Sequence, residues 1–406
     1  MKKVLLINPP SPFLIDSAAF PPLGLLYIAA ELERWGCEVQ VADYGLGNRN
    51  FVHWVPDYIG ITGLTSHVPW IRNTIPFFRD MYPEARIILG GPHFSNVPED
   101  GAKAGADVTC MGDGEASMIS AVHFPTAPIR SGLVNIDEWP APARYLIDLH
   151  AYHYSIGRER ATPIMTARGC PFSCAYCSRG LGAEGIRYRK LELVAAELEE
   201  LWFGGWRALM IYDDEMNVST KRLRDVAGLL HPFKWRCFVR SNLFTAEQAE
   251  ILAENNCVEV CCGVESGSDE ILRNVNKRAT VAEATSFVHL CKSVGLRTKV
   301  FLILGLPGET EATARATKDW LLAARPDNFD ICPFTPYPGS RIFHHLDEYD
   351  IQIHESYWDA EYFHKGKPGE YQVVVSTSGL SQDRIGELRE EIERDVRAEL
   401  GLEALQ

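Results

Sequence analysis

The segment Arg168-Gly169-Cys170-Pro171-Phe172-Ser173-Cys174-Ala175-Tyr176-Cys177 places three thiols within eight residues, directly after an apolar run. Thiolates are soft ligands that select iron–sulfur clusters, zinc or copper(I). Three cysteines cannot complete a four-iron cluster, so one iron stays open to a non-protein ligand. A zinc site would need a nearby fourth Cys or His at knuckle-like spacing, and the next cysteine downstream is Cys237. The other eight cysteines are scattered through apolar stretches and read as small buried hydrophobes. Cys261 and Cys262 are adjacent on a strand-like run and point to opposite faces, so they cannot both join a second cluster.

Side chains of this kind need rigid elements behind them. At 406 residues the chain has room for two or three domains. Over residues 1–124, apolar runs at 2–7, 38–42, 58–63, 86–89 and 107–111 alternate with helical periods at 22–35, 68–81 and 99–104. That alternation predicts an α/β fold with a doubly wound, Rossmann-like parallel sheet, whose ligand sits beyond the carboxyl ends of the strands. Those ends carry Asn8-Pro9-Pro10, Thr62 to Ser66, Gly90-Gly91-Pro92 and Gly112 to Glu115. The segments 44–56 and 115–124 are short for full helices, so this domain is trimmed. Residues 125–160, rich in Pro, Ala and aromatics, read as a connector on the surface.

Six strand and helix units follow in 161–340, a partial (β/α)6 barrel smaller than the eight-unit form. A small α+β extension, 341–406, ends in an amphipathic helix with Ser381 as N-cap. Its buried face is Ile385, Leu388, Ile392, Val396 and Leu400, with Glu390–Arg394 and Glu393–Arg397 pairs opposite.

With Tyr176 before the third cysteine, Cys170, Cys174 and Cys177 match the CxxxCxxC motif, and the chain resembles the radical S-adenosylmethionine (radical SAM) enzymes. The resemblance implies a [4Fe–4S] cluster on the three cysteines. Its open iron would chelate S-adenosylmethionine, cleaved reductively to a 5′-deoxyadenosyl radical, with Tyr176 near the adenine. Asp213-Asp214-Glu215 resembles the family's acidic turn near the methionine amine. Arg240 or Ser241 would meet the carboxylate, and Glu265, followed by Ser266, the ribose. Gly305 opens a turn like the one beside the adenine.

The earlier motifs, in order, resemble the cobalamin-binding domain of the B12-dependent radical SAM subfamily (class B methyltransferase-like). The resemblance assigns Asn8, Pro10, Thr65, Ser66, His67, Gly90, Gly91, Pro92, His93, Gly112, Gly114 and Glu115 to cobalamin. Small residues there let a corrin and its nucleotide tail approach the backbone. No Asp-x-His-x-x-Gly follows the first strand, so a histidine-ligated cobalt is not indicated.

The family's commonest chemistry is methylation of an unactivated carbon of a small molecule or natural-product intermediate. The radical abstracts hydrogen and methylcobalamin gives the methyl, with electrons from an external donor such as flavodoxin or ferredoxin. The same scaffold also serves non-methylating rearrangement, cyclisation or dehydrogenation, and a non-catalytic cobalamin or metal sensor is a third reading. The cluster of His and aromatic residues that includes Tyr357, Trp358 and Tyr362 reads either as a substrate-facing lid or as packing for the tail.

A net charge of −14, concentrated in the last sixty residues, argues against nucleic acid as partner. No charged and apolar leader or apolar run of membrane-spanning length occurs, and the expected location is the cytoplasm.

Overall fold

The computed structural model describes the chain except residues 13, 15, 48–51, 125–127, 179–184, 360–370 and 404–406. The first sheet is formed by β1 (Lys3–Asn8), β2 (Glu38–Asp43), β3 (Tyr58–Thr62), β4 (Arg86–Gly90), β5 (Val108–Met111) and β6 (Ile129–Arg130). Their order is β2-β1-β3-β4-β5-β6, all parallel. Strands buried on both faces become continuous apolar runs, as in Val4-Leu5-Leu6-Ile7. Helices α1 (Leu23–Arg34) and α5 (Gly114–His123) cover one face. The other carries α2 (Val68–Met81), with α3 (Pro92–Asn96) and α4 (Glu99–Lys103) following β4. Between β2 and β3 the described residues form only a short 3-10 turn, Tyr44–Leu46.

The stretch 125–160 is more than a surface connector. Its β6 extends the first sheet, and β7 (Ser155–Ile156) forms a hairpin with β8 (Glu159–Ile164), the first barrel strand. Ile136, Trp139, Ala143 and Tyr152 are all buried. Proline-rich chain without a period can still be core when its aromatics fill the seam between two sheets.

A short ladder of β9 (Ala167–Arg168) and β10 (Arg187–Tyr188) brackets the cysteine loop. The curved sheet continues through β11 (Ala208–Ile211), β12 (Lys234–Val239), β13 (Cys257–Glu265), β14 (Arg297–Leu304) and β15 (Asn328–Pro333), in the order β15-β14-β13-β12-β11-β8-β7. Outer helices α6 (Leu191–Phe203), α7 (Thr220–Leu230), α8 (Ala246–Glu254), α9 (Asp269–Asn274), α10 (Val281–Ser293) and α11 (Glu311–Ala324) pack one continuous core against it. Side-chain caps fix the starts of α7, α8, α10 and α11, and on α10 Thr280 and Glu283 form a reciprocal capping box.

The open edge at β15 is closed by the tail helix. After α12 (Arg341–His344) and the pair β16 (Gln352–Ile353) and β17 (Val375–Ser376), α13 (Gln382–Leu400) starts on the Ser381 cap and buries Ile385, Leu388, Ile392 and Val396. Arg389 Nε donates to Ile331 O at 3.3 Å, and Arg397 Nη2 donates to Phe329 O at 2.9 Å. These are carbonyls an edge strand would otherwise present to solvent. The Glu393–Arg397 pair is therefore buried rather than solvent-facing, and Arg394 pairs with Asp395 at 3.0 Å instead of Glu390. Periodicity located the helix but not which charged face was needed by the sheet edge.

Among the described residues, no helix is long and apolar enough to cross a membrane.

Candidate functional site

The carboxyl ends of the two sheets face a common space. On the barrel side the cysteine loop leaves β9 through Gly169, whose φ is +107° and where a Cβ would meet Gly185 O at 2.2 Å. The loop is held from several elements: Ala175 N donates to Val275 O, Asn276 Nδ2 to Ser173 O, and Asn96 Nδ2, from the first domain, to Ser178 O, each at 2.8 Å. Cys170, Cys174 and Cys177 are half-buried, unlike the seven buried cysteines Cys37, Cys110, Cys237, Cys257, Cys261, Cys262 and Cys291.

Among the described residues no three His, Cys, Asp or Glu side chains converge on a single metal ion. Three thiolates at three corners of a four-iron cube lie farther apart than the ligands of one ion. An all-sulfur donor set missing its fourth member fits such a cluster.

The acidic turn after β11 divides its work. Asp213, 3% exposed, accepts hydrogen bonds from Thr166 N at 2.6 Å, Thr166 Oγ1 at 2.5 Å and Ala167 N at 3.0 Å. It latches β11 to the segment before the cysteines and does not face the methionine site expected of it. Asp214 accepts from Gly169 N at 3.0 Å and lines the shared cavity. Glu215 is half-buried and lies within electrostatic reach of Arg240.

Glu265, at the end of β13, has φ +70° at a register shift, a left-handed conformation unusual for a non-glycine residue. Its Oε1 accepts from Tyr176 OH at 2.9 Å and from Lys277 Nζ at 2.8 Å, and Lys277 Nζ also donates to Tyr176 OH at 3.2 Å. Burial, with the Glu265 carboxylate second, pushes the Tyr176 phenol well up, so it donates at neutral pH. Lys277 escaped the sequence reading because it sits beyond α9, outside any strand end; a lone buried lysine has no sequence signature.

Arg240 and Ser241 are buried after β12, and the Arg240 Nη1 donates to Cys174 Sγ at 3.4 Å. Ser266 is turned to Thr317 Oγ1, 3.4 Å away. Gly305 has φ +86°, and its N–H donates to Glu309 Oε2 at 2.5 Å. Burial pushes the Glu309 carboxyl up to about 8.

A cavity of about 830 Å³ runs between the domains. From the first sheet it is lined by Asn8, His67, Gly90, Gly91, Pro92, Gly112, Gly114 and Glu115, and from the barrel by Met165, Ala167, Arg168, Ser178, Tyr212 and Asp214. It continues as an apolar slot between sheet and helices, past Leu6, Ile28, Gly60, Ile88, Cys110 and Met118. The hydroxyls of Ser11 and Ser117 line it without a hydrogen-bond partner among the described residues. Buried hydroxyls left unmet, glycine-rich walls and an apolar slot fit a corrin with its nucleotide tail.

Pro10, Thr65, Ser66 and His93 do not line this cavity. His93 is a buried strut, 3.1 Å from Thr65 Oγ1 and 3.2 Å from Asp100 Oδ2. Gly91 is glycine because of the chain beside it: with φ +98°, a Cβ would meet Gly63 N at 2.8 Å. His67 does line the cavity, with its Nδ1 accepting from Leu64 N at 3.3 Å and burial lowering its pKa to about 4. Its proton therefore sits on Nε2, where a metal ligand would need a lone pair.

Tyr357 donates to Asp100 Oδ2 at 2.8 Å and packs on His93, while Trp358 lies under Arg72 and Lys103. Both dock the extension on the first domain, away from the cavity lining, which favours the packing reading of these two residues over the lid. Tyr362 lies outside the described residues.

The domains are tied by charge at the cavity rim. Arg168, which precedes the cysteine loop, pairs with Asp113 and Glu115 at 3.3 Å, and Arg187 grips Asp113 at 2.5 and 3.1 Å. Sequence reading missed both arginines, whose partners are distant in the chain.

The B12-binding domain signature matches residues 17–122 and the radical SAM superfamily signature residues 164–321. The chain is 27% identical over 84% of its length to an uncharacterised methyltransferase of Pyrococcus horikoshii, covering 82% of that protein. It is 25% identical over 74% of its length to the anaerobic magnesium-protoporphyrin IX monomethyl ester cyclase of Cereibacter sphaeroides, covering 55% of it. The fold resembles the radical S-adenosylmethionine methyltransferase TsrM of Kitasatospora setae, solved with cobalamin and a [4Fe–4S] cluster bound. That match has a TM-score of 0.72 at 19% identity, over 98% of this chain and 89% of that one. With both domains in one chain and their strand ends opposed across one cavity, the chain belongs to the cobalamin-dependent radical SAM enzymes.

Proposed function

We propose that the chain methylates an unactivated carbon of a small molecule or natural-product intermediate. The observation that carries this is the single cavity bounded by Gly91 and Gly112 on one side and by Asp214 and Ser178, beside the cysteine loop, on the other. When bound, the cluster, S-adenosylmethionine and cobalamin supply an electron, a 5′-deoxyadenosyl radical and a transferable methyl group. Nucleophilic heteroatoms need no radical to accept a methyl group, so a site built for both points to carbon.

The chain's own residues bind and position. Cys170, Cys174 and Cys177 would hold the cluster. Asp214 offers an anion beside the loop for an ammonium, and Tyr176, Glu265 and Lys277 form a fixed polar wall for the nucleoside. The strand-end residues of the first sheet would carry cobalamin, with Ser11 and Ser117 as donors to its polar groups. The ion pairs of Arg168 and Arg187 hold the two domains in register and keep water from the rim. Electrons would come from an external donor of the flavodoxin or ferredoxin type, in the cytoplasm.

Turnover with methyl-labelled S-adenosylmethionine tests the reading. Labelled product should appear with both S-adenosylhomocysteine and 5′-deoxyadenosine. Unlabelled product formed with deoxyadenosine alone would instead identify a cyclising or rearranging enzyme, the second reading that the relative from Cereibacter sphaeroides favours.

A further inference from the structure

We infer that Arg240 is a positioning residue that acts through Cys174, its guanidinium making the bound cluster easier to reduce. The inference rests on the three cysteines holding a cluster, as proposed above.

Arg240 is 2% exposed, and each of its side-chain nitrogens already donates inside the protein. Nε bonds Asn242 Oδ1 at 3.0 Å, Nη1 bonds Cys174 Sγ at 3.4 Å, and Nη2 bonds the carbonyl of Lys277. The guanidinium carbon stacks 3.8 Å from the Phe172 ring centroid, and the backbone N–H is held by Asn217 Oδ1 at 2.9 Å. Three of the five N–H groups of this guanidinium are thus engaged, one of them on the cysteine loop. Beside the carboxylate-binding position that the resemblance implies, the structure gives Arg240 a contact with sulfur.

A charged N–H donated to a ligand sulfur withdraws negative charge from it and favours the state carrying the extra electron. Around the pair, Lys277 is matched by Glu265 at 2.8 Å, and Glu215 lies within electrostatic reach of Arg240. The neighbourhood is close to neutral, so the bond to Cys174 is the local feature that distinguishes the two oxidation states. In the step concerned, one electron passes from a low-potential one-electron donor, dithionite in the assay, to the cluster. The donor is oxidised by one electron, and no bond is made or broken.

The test uses the full chain reconstituted anaerobically as wild type, Arg240→Gln and Arg240→Lys, with iron and sulfide counted per chain and circular dichroism recorded. Redox titration is followed by the electron paramagnetic resonance of the reduced cluster. At a fixed poise, Arg240→Gln should show a reduced-to-oxidised ratio about tenfold below wild type, equivalent to about 59 mV for one electron. Arg240→Lys, which keeps the charge without the fork, should fall between the two.

Full iron in Arg240→Gln with a wild-type titration overturns the inference. Where Arg240→Gln holds no iron, Arg240→Lys decides. Loaded and titrating as wild type, it overturns the inference; displaced toward lower potential, it supports it. A wild type that takes up zinc and no iron overturns the cluster reading itself, and metal analysis alone distinguishes that failure.

Discussion

Thr166 and Asp213 are joined twice, the carboxylate accepting from both the backbone N–H and the hydroxyl of the threonine, and Ala167 N adds a third bond. The acid thus holds the start of the cysteine loop rather than a cofactor. Asp213→Ala would strand buried donors, so it should lower stability by about 3 kcal/mol or more, measured by urea denaturation. Asp214→Asn, beside it on the cavity, should leave the denaturation midpoint nearly unchanged. Equal midpoint losses in the two variants would return the structural role to the whole turn.

The hydroxyl of Ser117 is the polar feature of the slot between sheet and helices. Ser117→Ala should weaken cobalamin retention by about 1 kcal/mol, roughly fivefold, read from corrin absorbance after desalting. Ser117→Phe, which fills the slot, should abolish retention. Iron content should stay at the wild-type level in both, because the two domains have separate cores. Wild-type retention in Ser117→Phe would remove the slot from the cobalamin site.

Much of this was legible in the chain. Val68–Met81 matches its helical period to the residue, and β1 to β5 fall on the apolar runs at 2–7, 38–42, 58–63, 86–89 and 107–111, because burial on both faces leaves so strong a trace. The cysteine spacing named the cluster chemistry because three soft ligands in eight residues have few other uses. What stayed hidden was direction. Asp213 and Asp214 are neighbours of one type, yet one points into the sheet and the other lines the cavity. His93 sits on a ligand-facing loop and is nonetheless turned inward by Asp100, seven residues on. Lys277 and Arg168 acquire their roles only from partners that the fold brings from elsewhere.

Glu197 on α6 joins the two domains. It accepts from Arg144 Nη2 and Arg189 Nη1, each at 2.7 Å, and from Tyr27 OH of the first domain at 3.3 Å, all of these side chains being buried. Glu197→Gln removes the carboxylate that pairs with two buried arginines, which costs about 3–5 kcal/mol when a buried network is broken from one side. Urea denaturation should show this loss, with the first domain unfolding ahead of the barrel as a separate step. A single transition at the wild-type midpoint would show that the seam does not depend on this carboxylate.

Glu309 carries the clearest pH dependence. Its Oε2 accepts from Gly305 N, whereas Oε1 has no partner among the described residues, and burial raises the carboxyl to about 8. In the unfolded chain the same group titrates near the ordinary glutamate value of about 4.3. Between those values the folded protein keeps a proton that the unfolded chain has lost, so stability falls as pH rises through the window. The slope from this one group approaches about 1.4 kcal/mol per pH unit from about pH 5 to about pH 8. Glu309→Gln keeps an acceptor for Gly305 and cannot ionise, so the slope should flatten and the variant should gain on wild type toward pH 8. Denaturation midpoints of the two proteins across that range measure it; parallel slopes would mean that Glu309 is ionised in the folded state and that the turn at Gly305 holds a charge.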